Sequence, residues 1–338
     1  MPETRNKTPF ETAIIPGLDK DGADFATVVV RGTFDISKTS ETPPIAEIQT
    51  PIRYAPEYYG EPGHSSLKYD ADIALTKKST DIVLIGHAWS PTGQQPYVDV
   101  GLRVGSLSRS IRVFGHRKWF RSLGMWYQSR PVPFEKLPLI YENAFGGIDQ
   151  SDADSSKHSV EKRNPVGKGF YVSGEKDSLE GLLLPNLEDP RDLVKTWKDK
   201  PAPVGFGYIA PDWGPRMKYA GTYDDLWRET RLPFLPKDFN PQFFNSAHPD
   251  LISPAYLTGG EPVMITNASK TGNLSFRLPK RRISVAVWSK DVLSRYSPNL
   301  DTVVFEPDEG TMALIWRVAI PCYKKLPLID LIQISEKE

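Results

Sequence analysis

The sequence predicts a mainly β protein of the α+β kind. Antiparallel sheets come from both ends of the chain, and a loop-rich, proline- and aromatic-rich middle carries short helices. Three observations carry this prediction. Residues 8–145 and 251–338 hold runs of β-branched and aromatic residues that alternate with a period of two. No segment of the first 130 residues keeps a helical period over three turns. Residues 201–250 hold 8 of the 31 prolines together with 10 aromatic residues, a density that interrupts regular elements.

In the first part, residues 25–36 (FATVVVRGTFDI) are β-branched and follow the turn sequence DKDGAD. Residues 67–75 (LKYDADIAL) place Leu67, Tyr69, Ala71, Ile73 and Leu75 on one face of a strand. Residues 80–89 (TDIVLIGHAW) form a short apolar run closed by SPTG, as a buried strand does, so His87 is expected to be a hydrogen-bonded core residue. YVDVGLRVG and RSIRVFG then alternate.

The far end is also β. EPVMITNA and NLSFRLP are separated by SKTG, and RISVAVWS follows. Residues 302–321 (TVVFEPDEGTMALIWRVAIP) read as a hairpin, with Pro307 setting φ for a type I turn and Gly310 taking the left-handed position. LPLIDLIQIS alternates and reads as a strand, with a short helix as the alternative.

The middle differs. Residues 149–163 (DQSDADSSKHSVEKR) are polar and read as an exposed, mobile loop. Residues 189–200 (DPRDLVKTWKDK) suit a short helix with an Asp cap and Pro190 at its first position. YDDLWRET suits one or two helical turns, with Asp224 and Asp225 as first-turn acids. Long irregular connections are uncommon and usually functional. Here prolines lower the entropy lost on ordering and aromatics supply buried area, so a fixed, packed segment is expected. No repeat and no flexible linker is evident. The preferred reading is one large domain over residues 1–338, with two β subdomains as the alternative.

Lysine plus arginine is 42 and aspartate plus glutamate is 42, so net charge gives no reason to expect a nucleic-acid or membrane partner. A single cysteine, Cys322, excludes an internal disulfide and favours a reducing compartment. It follows Pro321 at the end of an apolar strand and reads as a small buried hydrophobe. The first 20 residues hold no secretory apolar region, and no apolar run approaches the ~18 residues of a membrane span. A soluble cytoplasmic protein is expected.

The stretch GFGYIA (residues 205–210) fits the letter of a dinucleotide-binding fingerprint, with Asp225 20 residues after Gly205. Such glycines hold pyrophosphate only where a strand turns into a helix. Pro201 and Pro203 before them, and Pro211 and Pro215 after them, remove both elements, so Gly205 and Gly207 read as turn glycines and no cofactor is expected. Lys168 in NPVGKGF lacks the Ser or Thr of a P-loop and reads as part of a turn, with a small anion nest as the alternative. The histidines are His64, His87, His116, His158 and His248, with no metal-ligand spacing, so no metal is expected. His64 reads as a surface residue. No G-x-S-x-G elbow occurs.

One asymmetry stands out. Residues 100–134 contain no acid but hold Arg103, Arg109, Arg112, Arg117, Lys118, Arg121 and Arg130, interleaved with Trp119, Phe120, Trp126 and Tyr127. This is either a docking surface or the solvent face of two strands and a loop. With a net charge of zero, an acidic protein partner is preferred over nucleic acid.

YENAFGG (residues 141–147), RNPVGKGF (163–170), LPNLEDP (184–190), PAPVGFGYIAPDWGPRMKYAGTYDDLW (201–227) and LPKDFNPQFFNSAHPD (235–250) occur in fixed order. KKSTDIVLIGHAWSPTG precedes them, and GGEPVMITN and FRLP follow. Over roughly residues 8–320 the chain resembles the bacterial "domain of unknown function 2169" family. Leu251 after Asp250, where the family pattern has Gln, and the DQSDADSSKH loop are departures. The resemblance implies a non-catalytic adaptor or chaperone encoded in type VI secretion clusters. Such a protein binds an effector, including toxins with PAAR or Rhs regions, helps load it on the VgrG spike and stays in the cytoplasm. Trp213, Arg216, Tyr219, Tyr223 and Trp227, with Arg112, Arg117, Trp119 and Arg121, are the candidate partner contacts, since interfaces favour aromatic and arginine anchors. The competing role for these aromatics is to hold the fold. The alternative function is a hydrolase acting on a glycan or peptide with a site assembled only by the fold, for which Asp212, Asp224, Glu142 and His87 are the nominees.

Overall fold

A computed structural model of the chain describes residues 2–38, 40–172, 179–290, 292–322 and 329–337. Its frame is mainly β and is built on three sheets, each of which draws strands from both ends of the sequence. The central sheet runs in the order Glu11–Leu18, Asp24–Asp35, Thr311–Pro321, Asn299–Glu306, Asp81–Leu84. Neighbours are antiparallel except the last pair, which is parallel. Every residue from Phe25 to Phe34 is buried. That is why this strand reads as an unbroken β-branched run rather than an alternating one: both of its faces are covered. The hairpin after Glu306 closes with Gly310 at φ 67°, the left-handed position that glycine adopts without strain.

The second sheet has the order Leu187–Glu188, Leu107–Phe114, Tyr97–Val104, Pro262–Thr266, Leu274–Arg277, all antiparallel. In Tyr97–Val104 the buried positions are Val98, Val100, Leu102 and Val104, the alternation visible in the sequence. The third sheet runs Glu3–Asn6, Leu331–Glu336, Ile283–Ser289, Val292–Tyr296, and its first pair is parallel. The strand read in LPLIDLIQIS is therefore present over its second half, while residues 326–328 lie outside the described residues. Glu3–Asn6 and Glu11–Leu18 were not legible as strands; the second carries Pro16 and lies at a sheet edge, where a missing N–H is tolerated.

Several expectations are corrected. Only Leu67–Tyr69 of residues 67–75 is a strand. The chain then turns so that the Asp72 carboxylate reaches Arg31 at 3.0 Å and accepts from the Arg53 backbone N–H at 2.9 Å. Residues 80–89 form two short strands. Asp81–Leu84 joins the central sheet, and His87–Trp89 pairs with Lys136–Pro138 after a bend at Gly86. His87 is half-buried, not a core residue. Residues 149–163 are anchored rather than loose: Ile148–Asp149 pairs with Ser159–Val160, and Asp149 and Glu161 are buried. Residues 189–200 form no helix. Their N–H groups find side-chain acceptors instead: Arg191 on Asp189, Val194 on Glu188, and Lys195 and Thr196 on Asp199. The expected helix at Asp225–Thr230 is present, capped by Asp224, whose Oδ1 accepts from the Trp227 N–H at 2.8 Å.

The core contains charge as well as hydrocarbon. Asp81, fully buried, accepts from Lys77 Nζ at 2.7 Å, Asn245 Nδ2 at 2.9 Å and the Ser246 N–H at 2.8 Å. Lys77 Nζ also donates to Thr302 Oγ1 at 2.9 Å, and Asp301 pairs with Arg317 beside it. Removing one partner of such a pair strands the other without water. Asp81→Ala is expected to cost roughly 3–5 kcal/mol, read as a lower urea midpoint with an unchanged slope.

Candidate functional site

The irregular middle is seated on the central sheet by the backbone. Leu84 N–H donates to Phe206 O and Ile209 N–H to Ser246 O, and Val204, Phe206, Tyr208 and Trp213 join the main core. Trp213 meets Tyr141 edge to face, with ring centroids 5.4 Å apart. Arg216 is buried and donates to Phe243 O at 3.0 Å and Ile209 O at 2.9 Å while pairing with Asp70 at 3.2 Å. These two residues hold the segment in place and present little to a partner. Tyr219 is half-buried.

Among the described residues, three of the seven cations of the basic segment are answered by acids from elsewhere. Arg109 pairs with Asp250 and Arg117 with Glu188, both arginines being buried. Arg112 grips Asp99 through two bonds of 2.7 and 2.8 Å. Trp119 is buried with Tyr171, Leu184 and Val194 in a second, smaller core. Arg121 is exposed on the hairpin formed by Trp119–Ser122 and Met125–Gln128. Within the 35-residue stretch that looked uniformly cationic, Arg109, Arg112 and Arg117 are thus cross-links whose anionic halves lie outside it.

The remaining nominated contacts, Tyr223 and Trp227, sit on a different kind of surface. Tyr223, Leu226 and Leu232 are 50%, 67% and 59% exposed, and the helix Asp225–Thr230 buries none of its residues. Polar anchors fix this segment. Besides the Asp224 cap, Trp227 Nε1 donates to Phe234 O at 2.9 Å, and Arg231 donates to the carbonyls of Lys20 and Leu235. The Tyr223 and Trp227 rings meet at 4.7 Å. Leu235 leads into a groove of about 450 Å³ lined by Phe25, Leu75, Phe239, Phe244 and Ala319. A segment held by internal polar anchors that turns Tyr223, Leu226 and Leu232 outward, rimmed by exposed Asp225, Arg228 and Glu229, has the make-up of an interaction surface.

The hydrolase nominees do not converge as a group. Asp212 is exposed, Asp224 is the helix cap, and Glu142 accepts from Ser66 N–H and Oγ at 2.7 and 2.6 Å. His87 pairs with Asp308 instead. Among the described residues no group of three or more His, Cys, Asp or Glu could hold a metal. No helix among them is long and apolar enough to cross a membrane. Cys322 is buried, and burial pushes its thiol pKa up.

A family model described as "Uncharacterized protein conserved in bacteria (DUF2169)" matches residues 21–317. The chain belongs to the DUF2169 family. No curated protein and no solved structure matches it. In this DUF2169 chain the motif segments interlock. Asn164 Nδ2 donates to Tyr141 O and Phe145 O, joining RNPVGKGF to YENAFGG. Lys168 Nζ donates to Asn143 Oδ1 at 2.8 Å and Asn186 Oδ1 at 3.0 Å, which brings in LPNLEDP. Lys168 thus serves a structural knot. Neither Gly205 nor Gly207 has a left-handed φ. A Cβ on Gly205 would lie 2.6 Å from Tyr141 Cζ, so this glycine permits close packing rather than a turn.

His248 closes the same region. Its Nδ1 accepts from the Asp250 N–H, and burial, then the Arg109 charge, bring its pKa down from 6.5 to about 4. The unfolded chain therefore binds more protons between those values, so stability is complete above about pH 6.5 and falls on acidification towards pH 4. Melting temperatures across this range should drop with acid, and His248→Gln should flatten the drop. Arg117→Ala is expected to cost about 3–5 kcal/mol because it strands buried Glu188. Arg112→Ala, at a partly solvated pair, should cost about 1 kcal/mol or less by urea unfolding.

Proposed function

We propose that this DUF2169 chain is a non-catalytic adaptor that binds a type VI secretion effector and helps load it on the VgrG spike from the cytoplasm. The observation that carries the reading is the ordered apolar face at residues 223–235. Asp224, Trp227 Nε1 and Arg231 are committed internally, while Tyr223, Leu226 and Leu232 stay exposed beside a charged rim of Asp225, Arg228 and Glu229. The motif resemblance supplies the partner class, an effector such as one with a PAAR or Rhs region. The face supplies what an interface core needs, aromatic and aliphatic anchors on a preorganised support. The paired arginines support orientation of a partner more than capture of one, since most of their charge is already answered.

The test is co-purification and calorimetry with the effector encoded beside the gene. Wild-type protein should form a complex at micromolar concentration or tighter. Leu226→Glu and Tyr223→Ser should weaken it by at least about tenfold, roughly 1.4 kcal/mol, without moving the melting temperature. Absence of a complex between the two folded proteins overturns the adaptor reading. An intact complex with both variants removes this face from it.

A further inference from the structure

A second cavity, of about 650 Å³, opens where residues 48–69, the Ile85–His87 bend, residues 138–140 and the 306–311 turn meet. Its polar groups are held in place from behind. Asp308 accepts from Trp89 Nε1 at 2.9 Å and lies 2.6 Å from His87 Nδ1, which fixes the imidazole and leaves Nε2 without a protein partner among the described residues. The Tyr69 hydroxyl donates to one Glu306 oxygen, and the Arg53 guanidinium lies 3.6 Å over the Tyr69 ring. The Tyr59 hydroxyl makes no hydrogen bond among the described residues. Tyr59 is 41% exposed, and partial burial with the charges of Glu142, Glu306 and Asp308 raises its pKa, so this phenol stays protonated as a donor.

The unspent hydrogen-bonding capacity has both signs. Lys68 Nζ and the Arg53 Nη groups remain as donors. Glu306 Oε2, Glu309 and His87 Nε2 remain to meet a ligand. The intervening wall is apolar, from Ile48, Ile85, Ile140 and the tyrosine rings. An anion would meet the carboxylates and a simple cation would meet Arg53 and Lys68. A neutral ligand with many hydroxyls satisfies both sets, and the C–H face of a pyranose ring matches an aromatic wall. The volume lies within the ~300–1,000 Å³ typical of small-molecule sites. We propose that this cleft binds an uncharged saccharide, with a sugar ring against Tyr59 and its hydroxyls shared between the carboxylates and the Arg53 and Lys68 cations. The proposal is independent of the adaptor reading, because none of residues 223–235 lines the cleft.

Saturation-transfer NMR on the full chain, with cellotriose and N,N′,N″-triacetylchitotriose as probes and arginine and citrate as charged controls, tests it. At least one saccharide should receive saturation, neither control should compete with it, and Tyr59→Ala should raise its Kd at least about tenfold. Lys68→Gln, a change at a side chain with no hydrogen bond of its own, should weaken binding with an unchanged melting temperature and serves if Tyr59→Ala does not fold. Retention on insoluble cellulose or chitin would point to a polymeric source; binding of the trimer alone would point to a free saccharide. No saturation of either trimer at millimolar concentration overturns the proposal. So does displacement by arginine or citrate, or binding unaffected by both variants.

Discussion

Asp81 is buried without solvent contact, yet its carboxylate receives Lys77, the Asn245 amide and the Ser246 backbone N–H. Through Lys77 the same group reaches Thr302. Those four partners come from the beginning, middle and end of the chain. A buried carboxylate is tolerable only when its lone pairs are answered, so all three parts must be in place at once. The constraint also sets topology: Asp81–Leu84 lies parallel to Asn299–Glu306, and the middle segment crosses above through Phe206 and Ser246. The second sheet, the motif knot around Asn164 and the exposed face at residues 223–235 are built outward from that junction.

The distribution of charge follows the same logic. Arg31, Arg109, Arg117, Arg216 and Arg317 are all buried and all meet a carboxylate. Each joins positions distant in sequence or neighbouring strands, so arginine serves as a cross-link here more than as surface charge. Two surface regions among the described residues contrast with these buried ion pairs. One is the apolar face at residues 223–235, where side chains lack cover; the other is the cleft beside His87, where polar groups lack partners. The two proposals assign them different ligands, a protein surface to the first and a small hydroxyl-rich molecule to the second.

Element type was legible wherever burial was two-sided or strictly alternating, as in Asp24–Asp35 and Tyr97–Val104. It was misread where a side-chain contact, local or distant, decides the backbone. Residues 189–200 have helical composition, but Asp189, Glu188 and Asp199 capture the N–H groups a helix would use. Residues 67–75 alternate, but Asp72 is drawn inward by Arg31, 41 residues away. Of the candidate contacts, Tyr223 and Trp227 reach the exposed face, while Trp213, Arg216, Arg117 and Trp119 are buried. Aromatic and arginine residues serve cores and interfaces alike, and one sequence does not distinguish the two uses. The Glu306–Asp308 turn was read only as hairpin chemistry, since its partners His87 and Tyr69 lie more than 200 residues away.

The sequence by itself determined the mainly β class, the hairpin at Pro307–Gly310 and the short helix that begins beside Asp224 and Asp225, because each depends on backbone preferences within a few residues. It also carried enough ordered motif to identify the family. The tertiary structure alone decided which arginines are neutralised, which aromatics stay outside and which polar groups share a cleft. Those outcomes depend on contacts between segments far apart in the chain, where a buried charge takes whichever partner the fold delivers.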